Sequence, residues 1–373
     1  MFQPPGTAAP LMGRGEAAEA LRRRGAPQQR VGAETCCVAA CCWPPEPPPS
    51  HKERERHEIG AGSAAGGLRI RRSGASRLCY RRAAMILARQ PRSPTLAPLV
   101  ESLWTYDGQL AHGFERMLPS GRMQLLVNLH EDTFRDYRLD GRLAHKTRGV
   151  AIQGAYTAPR VVDTACQRSI CGVSFAPASA SPFLGMPASE LTGKVVDLYE
   201  IWGRDGTILR ERLLQASTPA ARLDVLEAAL LARARSSKPR DEAVAVACSL
   251  LMGGASVRAV GVRLGLSPRR LIERFQVHVG IKPKLFARIA RFQRVLESAG
   301  GEMTWTTLAG EHGFSDQAHL VREFRAFSGA TPAAYRPRSE EARNHVPLDE
   351  RQFPSIRGGP PRGTLRQCPQ TKP

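Results

Sequence analysis

Two stretches of this sequence present side chains able to pair with base edges, each just beyond the same short punctuation. Gly265-Leu266-Ser267 precedes Arg269, Ile272 and Glu273, and Gly313-Phe314-Ser315 precedes Gln317, Ala318, His319 and Arg322. An arginine can clasp guanine O6 and N7 with two donors, a glutamine can pair with adenine, and a glutamate can accept from cytosine N4. Arg322 suits either a base or a phosphate. Glu273 has a competing use as an ion-pair partner of Arg269 or Arg270, and His319 suits a solvated surface as well as a base contact. A second set, Arg270, Arg274, Lys282, Lys284, Arg288 and Arg325, suits phosphate oxygens or a plain solvated helix face. No nucleophile elbow, phosphate-cradling glycine loop, His-Glu-x-x-His or paired-cysteine zinc spacing occurs. No catalytic residue, metal or cofactor is therefore expected.

These residues sit in an internal repeat. The Gly-apolar-Ser triplet at 265 returns at 313, an offset of 48, and Leu271, Phe275, Gly280, Pro283 and Phe286 return at an offset of 49 as Leu320, Phe324, Gly329, Pro332 and Tyr335. One residue is added in the second turn, and the rest stays in register.

The elements that would position the side chains follow from this punctuation. A short helix, Val257–Leu264 or Trp305–His312, ends at Gly265 or Gly313, because the residue past a helix end often needs positive φ. Leu266 or Phe314 tucks the turn inward. Ser267 caps the next helix with Pro268 at its first position, and Ser315 or Asp316 does so in the second unit. Leu271 with Phe275, and Leu320 with Phe324, are spaced i,i+4 and face inward, which turns the base-reading candidates outward. Two helices joined by a tight glycine turn make a helix-turn-helix, whose second helix can enter the major groove. Pro283–Ser298, with Leu285, Ile289 and Phe292 on one side, reads as a rigid linker helix between the two units.

This pattern resembles the AraC/XylS family of transcriptional regulators. Leu308-Ala309-Gly310-Glu311-His312-Gly313-Phe314-Ser315, followed by Phe324, Phe327, Gly329, Thr331-Pro332 and Tyr335-Arg336, is close to that family's C-terminal signature. The resemblance covers about residues 241–336. It implies a bacterial two-part regulator with a seven-helix DNA-binding domain, and it carries base contact onto the outward positions already named. It also implies that residues 90–235 are the variable sensory half.

Upstream, residues 90–175 read mostly as strands: Met123–Leu129, Val150–Gln153, Arg160–Val162 and the alternating Ile170–Phe175, with a hairpin turn at Asp140-Gly141. Residues 182–235 switch to helical period, with Leu209, Leu213 and Leu214 on one face and Leu223, Leu226, Leu230 and Leu231 on another. These helices either form a dimer seam or cover the sheet. Trp202-Gly203 looks like a packing corner. Glu115-Arg116-Met117-Leu118-Pro119-Ser120-Gly121 is the most distinctive stretch here, read as a pocket-lip turn or as a plain strand entry. Cys166 and Cys171 read as buried small hydrophobes, with redox sensing as the sharper alternative.

The expected fold class is thus α+β. Residues 1–84 are a disordered or misassigned extension, because their Pro runs and Gly/Ala/Ser clusters carry no hydrophobic period; Met85 is then a candidate true start. Residues 85–235 form a β-rich, barrel-like or sandwich-like sensory domain with C-terminal helices. Residues 236–240 are a linker, 241–338 the all-α double helix-turn-helix domain, and 339–373 a disordered tail.

The bulk numbers agree with this class. The chain has 373 residues, and its 54 Lys and Arg against 34 Asp and Glu give a net charge of +20. Such an excess favours a polyanionic partner. No apolar run is long enough to span a membrane and no secretory leader is evident, and the irregular spacing of nine Cys points to a reducing cytoplasm. Double-stranded DNA is the expected partner, with RNA polymerase, a small-molecule effector and a second copy of the chain as further ones, and no membrane; the expected location is the cytoplasm, on the nucleoid. Two rival readings remain. A repair-type methyltransferase fused to a DNA-binding half needs a reactive Cys with zinc-ligand partners, and the Cys36-Cys37, Cys41-Cys42 cluster lies in low-complexity sequence. A non-specific basic nucleic-acid-binding protein has no need of two turns at fixed spacing.

Overall fold

The computed structural model describes residues 85–234, 239–299 and 303–349. The readings of residues 1–84, including the Cys36–Cys42 cluster, lie outside the described residues.

Alternating apolar residues build the first half as two facing antiparallel sheets. One is ordered β1-β2-β9-β4-β7-β10: β1 Met85–Arg89, β2 Val100–Asp107, β9 Ser169–Phe175, β4 Gln124–Asn128, β7 Val150–Gln153 and β10 Val195–Asp197. The other is ordered β11-β3-β8-β5-β6: β11 His345–Leu348, β3 Phe114–Met117, β8 Arg160–Asp163, β5 Phe134–Tyr137 and β6 Leu143–Thr147. The expected α+β class and β-rich first half are what the structure shows. Asp140-Gly141 does turn the β5–β6 hairpin: Arg138 N donates to Arg142 O at 2.9 Å, and Gly141 has φ 82°. On β2 and β9, Leu103, Cys171, Val173 and Phe175 face one way, while Trp104, Tyr106 and Ile170 face the other. Trp104 lies opposite Gly172, where a Cβ would come within 2.2 Å of the indole. Only glycine leaves room for that ring.

Helices cover the outer face of the first sheet. They are α1 Ser181–Leu184, α2 Leu198–Trp202, α3 Arg204–Gln215 and α4 Pro219–Ala234. Leu209, Leu213, Leu223, Leu226 and Leu230 are buried against Leu103, Leu125 and Val173. These helices cover the sheet, as one of the two sequence readings has it. Leu214, grouped with the buried face from the sequence, is 48% exposed; one residue past Leu213, it lies about 100° round the helix. Trp202 is buried and donates from its indole N–H to Phe183 O at 2.8 Å, and Gly203 breaks the helix at φ 62°.

The second half contains α5 Glu242–Met252, α6 Val257–Arg263, α7 Pro268–His278, α8 Pro283–Ser298, α9 Trp305–Glu311 and α10 Gln317–Ser328. The resemblance implied seven helices. The seventh is reduced to a 3-10 turn, Pro332–Ala334. Pro337 follows closely, and a proline disfavours helical geometry at the residue before it and cannot continue the ladder. The expectation of disorder from 339 to 373 is corrected for residues 339–349. There the chain turns back, Tyr335 donates from its hydroxyl to Arg343 O at 2.6 Å, and β11 pairs antiparallel with β3. A buried His345 and apolar Val346 and Leu348 drive this return; in the sequence they form too short a run to read. Both halves belong to one compact unit.

Candidate nucleic-acid interface

Each groove-reading helix is built by local rules. Gly265 and Gly313 close the turns at φ 61° and 71°. Ser267 Oγ accepts from Arg270 N at 3.3 Å, with Pro268 at the first helical position. In the second unit Asp316, rather than Ser315, is the cap: its Oδ1 accepts from His319 N at 2.6 Å, and the Ser315 hydroxyl donates to its Oδ2. The cap bonds hold the Asp316 carboxyl below the usual carboxylate range.

The linker helix α8 ties the two units into one core. Phe286 packs edge-on against Phe275 of the first unit, at a ring separation of 5.9 Å. Two turns later Phe292 meets Phe324 and Phe327 of the second, at 5.4 and 5.3 Å. Phe324 also touches Trp305 and Tyr335. Side chains on one rod therefore hold both recognition helices by their inward faces, which restricts their relative motion.

With Leu271, Phe275, Leu320 and Phe324 buried, the opposite faces are open. Arg269, Arg270, Ile272 and Glu273 are exposed on α7, and Gln317, Ala318, Arg322 and Arg325 on α10. Lys282 and Lys284 are exposed at the start of α8. Arg269 Nε donates to Glu273 Oε1 at 2.8 Å, with both side chains largely in solvent, so the pair is weak and readily exchanged for another partner. Gln317 Oε1 accepts from the Thr306 hydroxyl at 2.8 Å, which links the recognition helix to its preceding helix. His319 is half-buried: its Nδ1 lies 3.1 Å from Ser315 Oγ and its ring stands edge-on to Phe314 at 5.3 Å. Its ring is thus occupied with its own turn.

Two of the phosphate candidates have internal partners. Arg274 donates from Nε and Nη2 to the Asp241 carboxylate, which also caps α5 through Val244 N. Burial pushes the Asp241 carboxyl up, but the Arg274 and Val244 bonds prevail and hold it low. Arg288 clasps Glu323 through Nε and Nη2 at 2.9 and 2.6 Å and lies over the Phe327 ring. Hydrogen bonding to Glu323 holds the Arg288 guanidinium strongly protonated. Both arginines fasten α7 and α10 to their neighbours. Sequence reasoning missed Arg291, which stacks over Phe314 at 4.3 Å and donates to Gly313 O at 2.9 Å, and Arg294, which donates to Met252 O at the end of α5. A signal was present: Arg288, Arg291 and Arg294 recur every three residues along one helix.

A family model described as a helix-turn-helix domain matches residues 260–338. Residues 260–338 are an AraC-type helix-turn-helix domain. Such a domain binds DNA in transcription regulators, and the AraC-type domain here follows a β-rich half in which residues 89–197 match a domain family of unknown function, DUF6597. No curated protein matches this chain. Among solved structures, an apo point variant of ToxT from Vibrio cholerae is similar at 11% identity and TM-score 0.37, over 66% of this chain and 98% of that one. Wild-type ToxT from the same organism with a bound unsaturated fatty acid is similar at 10% and 0.34, over 68% and 93%. The xylose-binding transcription activator xylR is similar at 17% and 0.23, over 31% and 38%.

A second candidate site lies between the two sheets. A cavity of about 50 Å³ is lined by Trp104, Leu126 and Ile170 from one sheet and by Met117, Phe134 and His345 from the other. At one end Arg160, buried, donates to Asp136 Oδ1 at 2.7 Å and to Gln153 Oε1, and stacks over Tyr156 at 4.6 Å. Each cation and anion there has a partner, so the cavity is apolar with one neutralised polar end. Cys166 and Cys171 are buried away from its lining, their thiols pushed by burial up to about 12 and about 11. That leaves little thiolate for redox chemistry and favours the packing reading. Among the described residues no group of three His, Cys, Asp or Glu could hold a metal, and no helix is long and apolar enough to cross a membrane.

Proposed function

We propose that the chain is a sequence-specific transcription regulator that sets α7 and α10 into two successive major grooves, about 34 Å apart, on one face of the duplex. The observation carrying this reading is the division of each recognition helix. Its inward residues lie in one core built on α8, and its outward residues are open and mostly polar or basic, with Ile272 and Ala318 among them. Arg269 and Gln317, at the two helix starts, and Arg322 are assigned to bases. Glu273, Ile272, Ala318 and His319 shape the same surfaces, Glu273 by releasing or holding Arg269. Arg270, Lys282, Lys284 and Arg325 are assigned to phosphates, and Arg274 and Arg288 to positioning. The assigned role is binding, with no catalytic step. An effector entering the inter-sheet cavity would modulate it. At about 50 Å³ the cavity holds a few water molecules at most, so such a ligand must widen it. RNA polymerase and a second copy of the chain are further partners in this reading, and the cytoplasmic nucleoid its location.

The test is competition. Genomic duplex fragments are selected on the protein, then challenged with excess random duplex. A regulator retains a small set of fragments; a non-specific basic protein loses them all in proportion to competitor.

A further inference from the structure

The stretch Glu115-Arg116-Met117-Leu118-Pro119-Ser120-Gly121 is assigned no DNA contact, yet nearly every residue of it engages the AraC-type domain or the chain that follows it. Arg116 Nη1 donates to Ser328 O, at the C-terminus of recognition helix α10, at 3.2 Å. Leu118 N donates to Asn344 O at 2.9 Å, and its side chain joins the core of the helical half. Pro119 O accepts from Gln293 of the linker helix at 2.8 Å. Gly121, at φ 70°, sits against Phe286 and Ile289 of the same helix. Glu115 is fully buried and accepts from Arg338 and His345.

Strand geometry divides these contacts between two faces. Successive side chains of a strand point to opposite sides. Met117 of β3 and His345 of β11, which pair directly, both line the inter-sheet cavity. Their neighbours Arg116 and Val346, which also pair directly, turn the other way, Arg116 to the end of α10 and Val346 into the helical core. One two-stranded ribbon is therefore at once a wall of the cavity and a seat of the DNA-binding half. A sheet transmits displacement across its faces because it is close-packed on both.

We infer that the β3–β11 ribbon couples the two halves: widening the cavity shifts Met117 and His345, and the same movement displaces Arg116 and Val346 from the recognition-helix domain. The inference rests on the regulator reading above and names the route by which the cavity acts on DNA binding. It assigns the chain after Arg338 to signalling, since β11 completes the cavity wall from beyond the DNA-binding domain.

The test fills the cavity from the opposite sheet in the full chain. Leu126→Phe, on β4, adds volume to the cavity without altering any residue of the ribbon. Val195→Leu serves if Leu126→Phe fails to fold by circular dichroism. The first readout is hydrogen exchange at the Val346 and Leu348 amides, expected to rise at least tenfold. The second is affinity for a selected genomic fragment, expected to change at least threefold. In a background carrying Leu348→Asp, which releases the strand, or His345→Ala, the same filling should change affinity less than 1.5-fold. Unchanged exchange on filling overturns the inference. So does an equal affinity change in both backgrounds, because the signal then travels elsewhere. If no fragment is selected over random duplex, the regulator reading fails, while the exchange measurement still decides the ribbon.

Discussion

Replacing Glu115 by Gln removes one charge from the centre of the molecule and keeps its shape. The side chain is fully buried. Its oxygens accept from His112 Nε2 at 2.7 Å, Arg338 Nη1 at 2.9 and 3.2 Å, and His345 Nδ1 at 2.8 Å. Burial alone would push this carboxyl up; His345, His112 and Arg338 outweigh it and hold it well below the usual carboxylate range. Burial pushes His345 down against the pull of Glu115. Glutamine offers one acceptor and brings an amide donor to face donors, and it leaves the Arg338 guanidinium buried without its counter-ion. Breaking a buried pair from one side costs about 3–5 kcal/mol, and losing hydrogen bonds to a charged group gives a similar figure of about 1.5–3 kcal/mol each. About 3 kcal/mol is expected, a fall in Tm of about 6–12 °C at two to four degrees per kcal/mol for a body of this size. The assay is urea and thermal unfolding of both proteins between pH 3 and 8. A depressed carboxyl contributes its stability in full above the unfolded pKa, about 4.3, and loses it as pH falls toward the folded value. The gap between wild type and variant should therefore be level from pH 6 to 8 and narrow below about pH 4.3. A loss under about 1 kcal/mol at pH 7, or a gap that does not narrow in acid, would refute the assignment of Glu115 as the ionic hub.

Other perturbations follow from the same geometry. Arg322→Ala should weaken a selected site by about 1–3 kcal/mol and relax preference at one base position; equal binding across a panel of site variants would reject its base contact. Phe324→Ala, which empties the ring cluster shared by Phe292, Trp305 and Tyr335, should cost about 3–5 kcal/mol of stability by chemical denaturation; a cost under about 1 kcal/mol would contradict the shared core. Cys166, Cys171 and Cys248, all buried with thiols raised by burial, should resist iodoacetamide at pH 8 until the protein is unfolded, as read by peptide mass mapping. Rapid labelling of Cys166 or Cys171 in the native state would reopen the redox reading.

The helical half was legible because its signals are local and repeated. The glycine turns, the Ser267 cap and the i,i+4 pairs Leu271/Phe275 and Leu320/Phe324 each follow from short-range backbone rules. In the β-rich half only the runs with clear alternation or an Asp-Gly turn could be read. β3 was obscured because Glu115 is buried at the centre of its strand, where pattern reasoning expects an apolar residue, and its partners Arg338 and His345 lie more than 220 positions away. β11 was invisible for the same reason: a four-residue strand after a DNA-binding domain has meaning only through β3. The internal duties of Arg274 and Arg288 likewise depend on Asp241 and Glu323, which sequence spacing does not bring near.

In the proposed binding mode, two recognition helices held on one rod read two adjacent grooves. Hydroxyl-radical footprinting of the full chain on a selected genomic fragment tests it most directly. Two protected patches centred about 10–10.5 base pairs apart on one face of the duplex are expected. A single patch, or even protection along the whole fragment, would contradict it.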